Sequence, residues 1–180
     1  MDREIVVVSG APGSGKTTLA AVLAPALQMP RIGKDLIKES LWDTLDPPKG
    51  DRQWSRQLGG AAMEVLWTLA ALSPRVLIEA NFRPHSDYER GKLASLSESS
   101  RIVEVYCWCP SDVARQRFES RGTDPTHHPA HVDSTLDPEL LAEFDQPMGL
   151  GNLIRVDTTL PVDVTALAEM ILAKFAPSRP

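Results

Sequence analysis

With 180 residues, 42% of them hydrophobic, the chain has enough material for one domain with a sizeable core and little more. Its formal charge of −5 argues against a general nucleic-acid surface, which depends on neutralising many phosphates. No apolar run approaches the length of a signal peptide or a membrane span, so a soluble, cytoplasmic protein is expected.

The apolar run Ile5, Val6, Val7, Val8 predicts a first strand, and it leads directly into Gly10, Ala11, Pro12, Gly13, Ser14, Gly15, Lys16 and Thr17. These eight residues fit G-x-x-x-x-G-K-[ST] at every fixed position, between a strand and a helix-forming stretch that starts with Thr18. The glycines let backbone N–H groups close around phosphate oxygens, Lys16 brings a mobile cation to the outer phosphates, and the Thr17 hydroxyl is placed to ligate Mg²⁺. Residues 10 to 18 are therefore expected to bind a nucleotide.

Residues 16–28 read as a helix, 29–33 as a short second strand or extended connection, and a further helix runs from 34 or 35 to about 45. Asp46, Pro47, Pro48, Lys49 and Gly50 break the chain. Trp54, Leu58, Ala62, Val65, Leu69 and Leu72 then recur at threes and fours, predicting the core stripe of a long helix, with Trp54 and Trp67 as packing residues. A strand at 75–79, a helix at about 88–97, a strand at 102–109, a helix at 111 to about 120, a strand at 153–157 and a helix at 162–175 complete the chain. Such alternation implies a parallel sheet covered on both faces, with ligands at the carboxyl ends of its strands. Cys107 and Cys109, two apart in a strand, are expected on one face as reduced, buried small hydrophobes.

Several polar residues follow strand ends, at the edge where the phosphate loop opens. Asp35 follows the second strand and has two roles open to it. It can orient or deprotonate an acceptor hydroxyl facing the γ-phosphate, or it can cap the following helix; the neighbouring loop favours the first. Glu39, four residues on, shares its helical face and is a substrate-binding candidate. Glu79 ends a hydrophobic strand in the manner that reaches Mg²⁺, usually through water, though a solvated strand end fits as well. Asn81 and Arg83 continue from that mouth as substrate-binding candidates, Arg83 having a surface role as its alternative.

Arg117 and Arg121 lie on one helical face before a Gly-, Pro- and His-rich segment that reads as a lid at about 121–136. They are candidates for stabilising charge on a transferred phosphoryl group, against simple placement of cations at a helix C-terminus. His127, His128 and His131 lack metal-ligand spacing and suit lid or substrate contacts better.

Together, the loop at 10–17, the stretches 32–39 and 76–82, and Cys109-Pro110 leading to Arg117 and Arg121 resemble the small P-loop kinases of the adenylate-kinase-like class. The likeness is strongest to the compact ATP-binding proteins grouped with chloramphenicol phosphotransferase, zeta-toxin kinases and gluconate kinase. The resemblance implies a three-layer α/β/α P-loop NTPase fold over residues 1–180, with a five-stranded parallel sheet in order 2-3-1-4-5. It further implies a catalytic Asp at Asp35, lid arginines at Arg117 and Arg121, and a loop at Asp157, Thr158 and Thr159 beside the adenine. Glu79 stands where many relatives have Asp, and no residue set identifies gluconate, chloramphenicol or a nucleotide-sugar as acceptor. The expected activity is ATP- and Mg²⁺-dependent transfer of a γ-phosphoryl group to a hydroxyl of a metabolite, sugar or antibiotic, without nucleic-acid or membrane partners. The alternatives are a polynucleotide 5′-hydroxyl kinase and a regulatory P-loop ATPase without an acceptor.

Overall fold

A computed structural model describes residues 3–144 and 146–176. Its strands are β1 (Arg3–Ser9), β2 (Arg31–Gly33), β3 (Arg75–Glu79), β4 (Ser100–Trp108) and β5 (Asn152–Asp157), all pairing in parallel in the order β2-β3-β1-β4-β5. The β-branched run of β1 takes the centre because both of its faces are covered, which suits a continuous apolar strand. Val6 and Val8 enter one core with Leu77, Val103 and Val105, beneath α1 (Lys16–Leu27) and α7 (Val164–Phe175). Ile5 and Val7 enter the other with Val76, Ile78 and Ile102, against α3 (Arg52–Leu72) and α4 (Asp87–Ser97). The period-two alternation of one strand thus feeds two cores.

Three further helices, α2 (Lys34–Leu45), α5 (Ser111–Gly122) and α6 (Pro138–Ala142), lie around the carboxyl ends of the strands or their connections. Among the described residues no helix is long and apolar enough to cross a membrane. Cys107 and Cys109 are both buried and free, as expected, and burial pushes the Cys107 thiol up to about 12, which keeps it protonated.

The stripe expected along α3 is corrected. Only Leu58 and Ala62 of it are buried, while Trp54, Val65, Leu69 and Leu72 are 37, 39, 41 and 76% exposed. The buried face instead carries Ser55, Leu58, Ala62, Leu66, Trp67 and Ala70. Small side chains occupy the points where α3 comes close to its neighbours, so ranking positions by hydrophobicity selected the wrong edge of the helix. Trp67 does pack as expected, 5.3 Å from Phe82 between ring centres. The short helix α6 has no counterpart in the sequence expectations. It is one turn long, begins with Pro138, and is capped by the Asp137 carboxylate, which accepts from the Glu139 N–H at 2.9 Å.

One buried carboxylate braces the sheet's upper edge. Glu104, 1% exposed, accepts from the Ser9 hydroxyl at 2.6 Å and from the Met148 and Gly149 N–H groups at 2.8 and 2.9 Å. It fixes the end of β1, where the phosphate loop departs, to the segment that returns to β5.

Candidate functional site

The loop between β1 and α1 owes its shape to backbone conformations that only glycine adopts readily. Gly13 and Gly15 have φ of 81° and 82°, and a Cβ on Gly13 would collide with the Ala114 carbonyl. Gly15 is the N-cap of α1 and supplies no side-chain cap, so the first-turn N–H groups remain available to an anion. Lys16 is buried and donates to the Ala11 carbonyl at 3.1 Å. Burial lowers its pKa, while the charges of Glu79 and Asp35 work in the opposite direction.

Asp35 enters from the next strand in space but one. Gly33 is the N-cap of α2 and makes no side-chain capping bond, whereas Asp35 lies in the first turn and contacts the Lys34 ammonium at 3.1 Å. The capping alternative for Asp35 is therefore corrected: the N-cap position falls two residues before it, at Gly33. Burial works against its charge, but Lys34, His131 and Lys16 outweigh burial and hold the carboxyl down at about 2. Glu79 pairs in register with both Val8 and Gly33 across the sheet, which brings the ends of β1, β2 and β3 to one mouth. The Thr17 hydroxyl donates to Glu79 Oε1 at 2.9 Å. Burial raises the Glu79 pKa, against the charge of Lys16 and the Thr17 hydrogen bond.

A cleft of about 310 Å³ gathers Lys16, Thr17, Asp35, Glu39, Asn81, Arg83 and Arg121. Among the described residues Asn81 Oδ1 is buried there without a partner, and Arg83 is tied to Glu143 at 2.7 Å and Glu89 at 3.7 Å. Arg117 is placed elsewhere. Its guanidinium donates to the Thr158 carbonyl at 3.0 Å, and the Thr158 hydroxyl donates to the Ser14 carbonyl at 2.7 Å. Thr158, Arg117, Gly15 and Thr18 border a second hollow of about 340 Å³, whose floor is Leu19, Val22, Leu160, Pro161, Val162 and Val164. The candidate residues thus divide between a polar, charged cleft and an apolar slot, with the phosphate loop between them.

A family model described as an AAA domain matches residues 5–147. The chain belongs to this AAA domain family. No curated protein matches the sequence. Among solved structures, a candidate kinase from Chloroflexus aurantiacus shares 30% identity over 97% of this chain and 99% of that one, with a TM-score of 0.83. Kti12 of Chaetomium thermophilum, solved with ADP-AlF3, shares the fold at 15% identity over 96% and 100% of the two chains, TM-score 0.66. A gluconokinase from Sinorhizobium meliloti does so at 20% identity over 97% and 94%, TM-score 0.55. The sheet order and the loop place the AAA domain in the α/β fold of the small nucleotide-dependent P-loop kinases.

In this AAA domain the histidines of the 123–137 connection engage α2. His131 Nε2 lies 2.8 Å from Glu39 Oε1 and His128 Nε2 3.1 Å from Asp43 Oδ1. The Ala130 N–H donates to His128 Nδ1 at 3.1 Å. Ala130 itself is fully buried against Trp42 and Leu58, and its carbonyl accepts from the Ser55 hydroxyl at 2.8 Å. Lys38, Ser55 and Trp42 were not singled out from the sequence. Only Lys38 had a usable signal: it sits four residues after Lys34 on a helix already assigned to the mouth.

Proposed function

We propose that the protein is an ATP- and Mg²⁺-dependent kinase that transfers the γ-phosphoryl group to a hydroxyl of a small molecule such as a metabolite, sugar or antibiotic. The observation that carries this reading is the shared cleft of Lys16 and Asp35: a phosphate-loop lysine and an ionised carboxylate line one hollow of small-molecule size. The apolar slot walled by Leu160, Pro161 and Val22 suits a purine base, with Arg117 and Thr158 at its rim. Lys16 and the loop amides would hold the phosphates, and Arg121 would offset charge spreading over the transferred group.

Thr17 and Glu79 fit Mg²⁺. Their 2.9 Å contact brings a hydroxyl and a carboxylate together, and hard oxygen donors with one carboxylate suit this ion, other positions going to phosphate and water. Held by Thr17 and Glu79, Mg²⁺ would supply neutralisation of the charge on the phosphates. A carboxylate held near a pKa of 2 is a poor proton acceptor but a firm hydrogen-bond acceptor. In a loose phosphoryl-transfer transition state the hydroxyl keeps its proton until late, so Asp35 serves chiefly to orient it. Glu39, Asn81 and Arg83 form the acceptor's side of the cleft, and the segment at about 121–136 acts as a lid that excludes water.

The test is transfer from γ-labelled ATP to a panel of metabolites, sugars, antibiotics and oligonucleotide 5′ ends. Label is expected on one class of small hydroxyl compound, and Lys16→Ala should abolish it while the chain stays folded. Steady ATP hydrolysis that no acceptor accelerates would instead mark a regulatory ATPase. Labelled oligonucleotides would mark a polynucleotide kinase.

A further inference from the structure

The cleft beside Asp35 continues between α2 and α3 into a hollow of about 420 Å³, and the charges along that extension do not balance. Lys34 is engaged by Asp35, and Arg83 by Glu89 and Glu143. Of the two acids that line the extension, Glu89 also accepts from the Arg83 N–H at 2.8 Å, and Asp133 faces Arg52 at 3.6 Å. Lys38 and Arg56 are left with no carboxylate in contact among the described residues.

Lys38 is 7% exposed, and its ammonium donates at 2.8 Å to Ser55 Oγ, whose own proton goes to the Ala130 carbonyl. One of its three donors is therefore engaged by a neutral oxygen. Asp35, Asp133 and Glu39 are near enough to favour the charge but none makes contact; burial and Lys34 prevail and lower the pKa to about 8. A buried cation without an anionic partner is costly to fold, which is reason to expect its partner in a ligand.

The opposite wall is made by Gly59 and Gly60, adjacent in the interior of a 21-residue helix where glycine weakens helical structure. A Cβ on Gly60 would meet nothing within 4 Å, and one on Gly59 only Lys34 Cε at 3.9 Å. Packing does not demand these glycines, and their absent side chains keep the hollow open. Asn81 Oδ1, buried and unpartnered at the junction of the two hollows, supplies an acceptor for a ligand hydroxyl.

We propose that the phosphoryl acceptor carries an oxyanion as well as hydroxyls, with the anion held by Lys38 and Arg56 in the space left by Gly59 and Gly60. This rests on the kinase reading above and narrows it to hydroxy acids or phosphorylated polyols. The transferring hydroxyl lies at the Asp35 end and the fixed negative charge at the α3 end.

The test uses the full chain saturated with Mg²⁺ and a non-hydrolysable ATP analogue, so that the phosphate loop is filled. Binding of glycerate, glycerol 3-phosphate and gluconate is measured calorimetrically against glycerol and sorbitol at matched ionic strength. The anionic members should bind and the neutral ones should not, and the better of the first two distinguishes a carboxylate from a phosphate. Lys38→Met and Arg56→Gln should each weaken anion binding by about 10-fold or more, the scale of a charge-assisted hydrogen bond. Gly60→Leu should block it sterically with every charge retained. Unchanged affinity for the analogue shows that each variant is folded. Equal binding of glycerol and glycerate, no binding of any anion, or anion binding indifferent to Lys38→Met would overturn the proposal. Transfer to a neutral polyol by an indifferent Lys38→Met protein removes the anion site and leaves the kinase; anion binding at Lys38 with no transfer to any acceptor does the reverse.

Discussion

Arg117 and Arg121, one turn apart on α5, serve separate hollows: Arg117 donates to the Thr158 carbonyl at 3.0 Å beside the apolar slot, whereas Arg121 lines the cleft of Asp35 and Lys16. Four residues advance a helix by about 6 Å, enough to carry side chains of one face to opposite sides of the phosphate loop. Arg117→Ala should therefore act on nucleotide binding, raising KM for ATP about 10-fold with a smaller effect on kcat. Arg121→Ala should lower kcat on the order of 10²-fold while leaving KM for ATP near its original value. Steady-state kinetics decide the matter, and equal effects of the two variants on both constants would remove the division of labour.

Asp35→Asn distinguishes an orienting carboxylate from a structural one. Gly33 caps α2, so the substitution costs no cap; it removes a first-turn charge that Lys34, His131 and Lys16 stabilise, and with solvent screening of this partly exposed group stability should fall by about 1 to 2 kcal/mol. Transfer should fall about 10- to 100-fold, the scale of losing a charge-assisted hydrogen bond to the acceptor hydroxyl. The pH dependence has a fixed sign. The carboxyl is held at about 2 in the folded chain, below the ordinary 3.8, so its contribution to stability is present above about pH 4 and fades as the pH falls through 2. An acidic limb of the rate profile near pH 5 that disappears in Asp35→Asn would show that the carboxyl is not held low.

The Thr17 to Glu79 hydrogen bond predicts a metal phenotype. Thr17→Ala and Glu79→Gln should each raise the Mg²⁺ concentration needed for half-maximal turnover, by about 10-fold or more for the loss of one oxygen ligand or its charge. At saturating Mg²⁺ the two variants should recover much of their rate. A Glu79→Gln enzyme with an unaltered Mg²⁺ titration would make Glu79 a buried strand terminus and nothing more.

The features legible in the sequence were those encoded over short distances. The loop from Gly10 to Thr17 could be read because glycine, lysine and threonine meet backbone demands within one turn, and the sheet because Ile5 to Val8 is apolar on both faces. The stripe on α3 misled because Ser55 and Ala70 are buried for their size, a property that belongs to neighbouring elements. Lys38 and Ser55 acquire meaning only once α2 lies against α3 and the Ala130 carbonyl descends on both. Asp35 was legible as a mouth residue but not as a non-capping one, since its position relative to Gly33 depends on where β2 stops.

The final prediction concerns what holds the 123–137 connection over the cleft. Two kinds of contact compete: the pairs His128–Asp43 and His131–Glu39, and the seating of Ala130 on Trp42 and Leu58. Partly exposed ion pairs contribute about 1 kcal/mol or less each, whereas removal of a buried indole costs about 3 to 5 kcal/mol. The apolar contact should dominate. A His128→Ala, His131→Ala double variant is accordingly expected to stay within about 2 kcal/mol of the parent, with modestly faster amide exchange across 124–136. Trp42→Ala should free that segment far more, and because a closed lid excludes water, it should raise ATP hydrolysis relative to transfer. Hydrogen exchange and the hydrolysis-to-transfer ratio are measured on the same samples. If the histidine variant loosens the segment as much as Trp42→Ala does, the latch is ionic, and closure should then weaken with added salt.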